Sequence, residues 1–167
     1  MNKLFTLCFS FFLILTLTSC NISDEDLSKT TINQAKIAFE EKPKKPNKET
    51  KLFSYYVPEK FEIKETNKYN VILEQGKQSY ILFVNLKEKV NSQVSYEALS
   101  KQYKNPLILK TFENEEKFGY LFVDEVEKNQ YEITVGIGGT KLTTETNKSD
   151  IEEDAQNMME IVNSVKK

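Results

Sequence analysis

Two short runs constrain the fold more than anything else in the chain. Tyr80-Ile81-Leu82-Phe83-Val84 and Phe118-Gly119-Tyr120-Leu121-Phe122-Val123 carry no polar side chain except the tyrosine hydroxyls. Successive side chains of a strand point to opposite faces, so a strand with no polar face needs cover on both. That predicts a sheet with helices on each side. The first run pairs back onto Val71-Ile72-Leu73 across Glu74-Gln75-Gly76-Lys77-Gln78, where Gly76 supplies the positive φ of a tight hairpin. The second follows Leu107-Ile108-Leu109, Thr111 and Phe112 through a turn at Asn114-Glu115-Glu116-Lys117. It then passes through Glu127-Lys128-Asn129-Gln130 into Tyr131, Ile133, Val135 and Ile137, with Glu132 and Thr134 opposite. Three strands joined by short turns make an antiparallel meander.

Helical spacing supplies the cover. Tyr96, Leu99 and Tyr103 share one face of a segment that ends before Asn105-Pro106. Ile151, Ala155, Met158, Val162 and Val165 recur at intervals of four and three in the last segment, with Lys166 and Lys167 at the negative end of its dipole. Ser149-Asp150-Ile151-Glu152 reads as a capping box at its start. Phe53, Tyr55 and Val57 alternate up to Pro58 as one strand, and Phe61, Ile63 and Glu65 suggest another. The expected fold is therefore α+β, an antiparallel sheet of about six strands with helices on both faces, in a single domain over residues 52–167.

The region before that domain divides in two. Residues 1–19 have a positive start at Lys3, an apolar stretch over residues 4–17, and the small residue Ser19 before Cys20. The apolar stretch, about 14 residues, falls short of the roughly 20 that cross a hydrocarbon core, so a cleaved leader is expected. Leu17-Thr18-Ser19-Cys20 resembles the lipobox of bacterial lipoproteins. The resemblance implies cleavage between Ser19 and Cys20 and a diacylglyceryl thioether on the Cys20 thiol. Two or more acyl chains anchor stably, at about 0.8 kcal/mol per buried methylene. Residues 20–51 then read as a polar tether, helical in part. Ser23, Asp24, Glu25 and Asp26 suit a helix start, Ile32, Ala35 and Phe39 fall at helical spacing, and Pro43 and Pro46 forbid continuation. As a coil it would span roughly 30 Å.

Composition limits the chemistry. Without Lys3, 25 acids outnumber the remaining cationic residues of the 23 in the chain, a net charge of about −3 that favours neither nucleic acid nor an anionic surface. Cys8 leaves with the leader and Cys20 is taken up by lipid, so no disulfide is expected in the mature chain. The sequence has no His, Trp or Arg. The usual general base, the imidazole metal ligand and the bidentate phosphate clamp are therefore missing. Lysine in every basic position goes with a low-GC, Gram-positive source.

Three features still invite a chemical reading. Gly136-Ile137-Gly138-Gly139-Thr140-Lys141 suggests a phosphate loop, but the helix that would aim its N-terminus at the anion does not follow at once. A bulge or bend between strands is the expected use. Glu152, Glu153 and Asp154, with Asp124 and Glu125, could pair for glycoside hydrolysis, yet three acids in a helix's first turn answer to the dipole. Tyrosines are abundant, and Tyr56 and Tyr69 are the candidates for an exposed binding face. Asp24, Glu25 and Asp26 lack the spacing of a calcium loop, and Met158 and Met159 read as core.

The order of elements, opening on Phe53-Ser54-Tyr55-Tyr56-Val57-Pro58-Glu59-Lys60-Phe61 and closing on Ile161-Val162-Asn163-Ser164-Val165, resembles the PsbP-like α/β/α sandwich. That family includes photosystem accessory proteins and bacterial lipoproteins of the DcrB type. Phe61 stands where many relatives carry Trp. The resemblance implies a non-enzymatic interaction factor with no catalytic residue to carry over, and the missing side chains lead us to expect no metal and no cofactor. The expected role is a membrane-anchored, extracytoplasmic accessory factor. Its partners would be the membrane, through the lipid, and an envelope protein or cell-surface polymer, with no nucleic acid. The alternatives are a structural or signalling factor for surface-community growth and a carboxylate-dependent wall-active hydrolase.

Overall fold

The computed structural model describes residues 23–167. Among the described residues three helices, α1 (Asp24–Glu40), α2 (Val94–Ser100) and α3 (Ile151–Asn163), accompany nine strands. These are β1 (Lys48–Glu49), β2 (Ser54–Tyr55), β3 (Glu62–Thr66), β4 (Asn70–Gln75), β5 (Gln78–Val84), β6 (Ile108–Glu113), β7 (Phe118–Glu127), β8 (Gln130–Ile137) and β9 (Thr140–Asn147). The main sheet has seven antiparallel strands in the order β3-β4-β5-β9-β8-β7-β6. The hairpin reading at Gly76 holds, with φ +61 at that glycine and Val71, Ile72 and Leu73 opposite Leu82, Ile81 and Tyr80. The 108–137 meander holds as well, turning at Asn129 with φ +62.

One face of the sheet carries the main core. Val71, Leu82, Leu142, Val135 and Leu121 stand side by side across five strands, each fully buried. Over them lie α1 and α3, packed on each other and contributing Leu27, Ala35, Phe39, Ile151, Ala155, Met158 and Val162. The opposite face is covered at one end only, by α2. There Tyr96 and Leu99 of α2 pack on Phe118, Tyr120 and Phe122, joined by Tyr103 from beyond the helix, which stops at Ser100 short of the expected end at Tyr103.

The structure departs from the sequence reading in five further places. The segment read as a solvated tether instead forms α1, with Ala35 completely buried and Phe39 1% exposed. Its start is as expected: the Ser23 hydroxyl accepts from the Asp26 amide at 3.1 Å, and three acids occupy the first turn. Its thin apolar pattern hid the burial, because small residues such as Ala35, Ala38 and Thr31 do the packing. The strand expected over residues 53–57 shrinks to β2, which pairs with β1 outside the main sheet. β9 occupies residues to which no element was assigned, and it joins the two halves of the sheet. The capping box does not form: Asp150 is the N-cap of α3 without a side-chain bond, and the Ser149 hydroxyl donates to the Asp150 carboxylate at 3.0 Å. Finally, β5 is covered on one face alone, since Ile81 is 50% exposed.

Candidate binding face

The uncovered half of the second face is the best-defined site in the structure. Cross-strand register builds it in rows. Ile72, Ile81 and Thr143 align in one row, ending against the buried Thr134 and Phe122. Asn70, Phe83 and Lys141 align in the next, ending against Gly136 and Tyr120. A third row places Glu74, Ser79, Glu145 and Glu132 nearer the β4–β5 turn. Two shallow hollows lie along these rows. One, of about 440 Å³, is lined by Asn70, Ile81, Phe83, Lys141 and Thr143. The other, of about 590 Å³, runs past Ser79, Ile81, Glu132, Thr143 and Glu145.

The wall of this face is aromatic and fixed. Tyr103 stacks on Phe122 with ring centroids 5.1 Å apart, and its hydroxyl donates to the Glu132 carboxylate. Burial, together with that bond, raises the Tyr103 phenol above its ordinary pKa. Tyr120 lies flat across its strand neighbour: a Cβ on Gly136 would sit 2.0 Å from the ring's Cζ. Glycine is therefore required there for close approach. Above the wall, Glu88 gathers the loop that leads into α2. Its carboxylate accepts from the Ser92 hydroxyl at 2.9 Å, the Ser95 hydroxyl at 2.8 Å and the Ser95 amide at 3.1 Å. Burial opposes its ionisation, but these bonds and one from Asn85 outweigh burial and hold it below the usual carboxylate range.

Electrostatically the face is an apolar strip between opposite charges. Lys141 stands beside Phe83, and Glu145 beside Ser79 and Glu132; neither Lys141 nor Glu145 has an ion-pair partner among the described residues. A larger hollow of about 780 Å³ lies elsewhere, between the β1–β2 turn and the β3–β4 turn, and is lined by Glu49 to Leu52 and by Thr66, Asn67 and Lys68. It is a gap between two hairpin tips.

No protein-family model matches the chain, and no curated protein is significantly similar to it.

The residues singled out from sequence fall as follows. Ser19 and Cys20 lie outside the described residues. The glycine run spans the end of β8 and the β8–β9 turn, with Gly138 at φ +52, and it leads into a strand. No helix N-terminus is presented to an anion there. The acids do not converge: Asp154 is buried and accepts from the Tyr80 hydroxyl at 2.6 Å and the Gln78 amide at 2.9 Å. Glu153 is paired with Lys60, and Asp124 and Glu125 sit across the sheet on β7. Among the described residues, no group of three or more His, Cys, Asp or Glu is placed to hold a metal. Tyr69 is 39% exposed and carries Lys68 over its ring at 5.0 Å, whereas Tyr56 is half-buried. Neither contributes to the open sheet face. Thr143 was missed as a functional residue, and Lys141 was weighed only as part of a phosphate loop, because β9 was missed. Its alternation of Thr140, Leu142, Thr144 and Thr146 inward was the available signal, muted because one aliphatic residue carries it.

Proposed function

We propose that this chain is an extracytoplasmic lipoprotein of PsbP-like build, anchored through Cys20, whose domain serves as a non-enzymatic binding or accessory factor in the cell envelope. The observation that carries the binding role is Ile81. A large aliphatic residue, half exposed between Ile72 and Thr143 in the interior of a sheet, loses solvation without gaining burial. The strip it heads, with Lys141 at one end and Glu132 and Glu145 at the other, suits a protein surface with an apolar centre. That surface would bear a cation toward the glutamates and an acid toward Lys141. Against a hydrolase stand the dispersal of Glu152, Glu153, Asp154, Asp124 and Glu125 and the use of Asp154 as an internal acceptor. Among the described residues no helix is long and apolar enough to cross a membrane.

The test is site-specific photocrosslinking in intact cells, with the crosslinker at Ile81 and, as control, at the exposed Glu49. The reading expects one discrete adduct from position 81, lost in the Thr143→Lys variant and in the unanchored Cys20→Ala form. Adducts of equal yield and identity from both positions would refute it.

A further inference from the structure

We propose that the domain stands upright on the bilayer, with the end of the sheet that carries the β4–β5 and β7–β8 turns against the lipid headgroups. The proposal rests on the Cys20 anchor and deepens it by naming the surface that meets the membrane. Helix α1 belongs to the core from its first turn, since Leu27 is 3% exposed and Thr31 fully buried. The fold is therefore fixed from Ser23, whose side chain caps the helix, onward. Asp24 is tied to Lys148 at 2.6 Å, and Lys148 directly follows the end of β9, where Asn147 lies opposite Gln130. The start of α1 is thus fixed beside the β7–β8 turn. Gln78, next to the β4–β5 turn, bonds Thr144 of β9 and Asp154 in the first turn of α3, so these turns share one end of the molecule.

The remaining reach is small. Three residue steps from Cys20 to Ser23 extend to at most about 11 Å. An eight-residue strand such as β8 is about 27 Å long. The opposite end carries the 67–69 turn, the 85–93 loop and the β8–β9 turn, joined through Val84 to Tyr69 and Asn85 to Gly139. That end cannot meet the headgroups while the strands stand along the membrane normal. The near end is not strongly basic, because Lys77, Lys128 and Lys148 are matched by Asp24, Glu25 and Asp26. Placement comes from the short connection and not from lipid charge. In this pose the open face looks sideways along the membrane, toward a neighbour standing on the same bilayer.

The mature chain has no cysteine besides Cys20, so single cysteines can be labelled selectively. Lipidated protein from the native host, carrying Lys77→Cys, Lys128→Cys, Lys68→Cys, Lys89→Cys or Lys141→Cys, would be labelled with a fluorophore. Each would be bound to vesicles of equal parts phosphatidylcholine and phosphatidylglycerol bearing a headgroup quencher. Positions 77 and 128 should be quenched several-fold more than 68, 89 and 141, the last of which lies beside the β8–β9 turn at the far end, and the order should persist in pure phosphatidylcholine. Strongest quenching at 141 would mean that the domain lies on its open face, and equal quenching everywhere would mean free tumbling on a loose leash; either overturns the proposal. Intact mass and vesicle flotation of the same samples test the anchor separately. Protein that lacks lipid and does not float refutes anchoring itself.

Discussion

Replacing Phe39 by alanine tests whether α1 is part of the fold or a spacer before it. The ring is 1% exposed, lies 5.7 Å from that of Phe112, and has the Lys117 ammonium 4.5 Å from its centroid. Beneath it is Gly119, whose missing Cβ leaves the space that the ring occupies, since a Cβ there would come within 2.8 Å. A glycine cannot relax into the vacated volume, so the cost should lie high in the range of about 3–5 kcal/mol for burying an alanine in place of phenylalanine. For a domain of this size that corresponds to a fall in Tm of roughly 10–15 °C. Ile37, two residues earlier on the same helix, is 40% exposed, and Ile37→Ala should cost about 1 kcal/mol or less. Thermal and urea unfolding of residues 20–167 would measure both. Equal, small effects at 37 and 39 would show that the helix does not belong to the core and would refute the reasoning.

Two further outcomes follow from the polar interior. Tyr80→Phe should destabilise by about 1.5–3 kcal/mol, because it removes the donor to a buried carboxylate. Tyr120→Phe should be neutral or stabilising in the same urea titration, because that buried hydroxyl has no hydrogen-bond partner. Glu88 should contribute on the acid limb. Its folded pKa is below the ordinary value, so its stabilisation is complete above the unfolded pKa and is lost as pH falls through the folded one. The stability gap between wild type and Glu88→Gln, followed by urea unfolding from pH 7 downward, should therefore close in the acid range; a gap that widens there would contradict the sign.

How much of this was legible depended on whether burial was written in large aliphatics. The hairpin at Gly76, the 108–137 meander and the stripe of α3 were readable because Val, Ile, Leu and Phe mark their inward positions without ambiguity. The core role of α1 was not, because two helices that cross closely use small side chains, and Ala35, Ala38 and Thr31 look like nothing in a polar sequence. β9 was invisible for a related reason: threonines fill three of its four inward positions. The open face was misread for the opposite reason. Ile81 and Phe83 look like core, and periodicity alone does not say where a helix such as α2 stops covering a sheet.

The account depends most on the chemistry at Cys20, and intact mass of the protein from membranes of its native host examines that directly. The account predicts a chain beginning at Cys20 and heavier than its residues by a diacylglyceryl group, with or without a further acyl chain. A chain that retains residues 1–19, or that carries an unmodified Cys20 thiol, would contradict it.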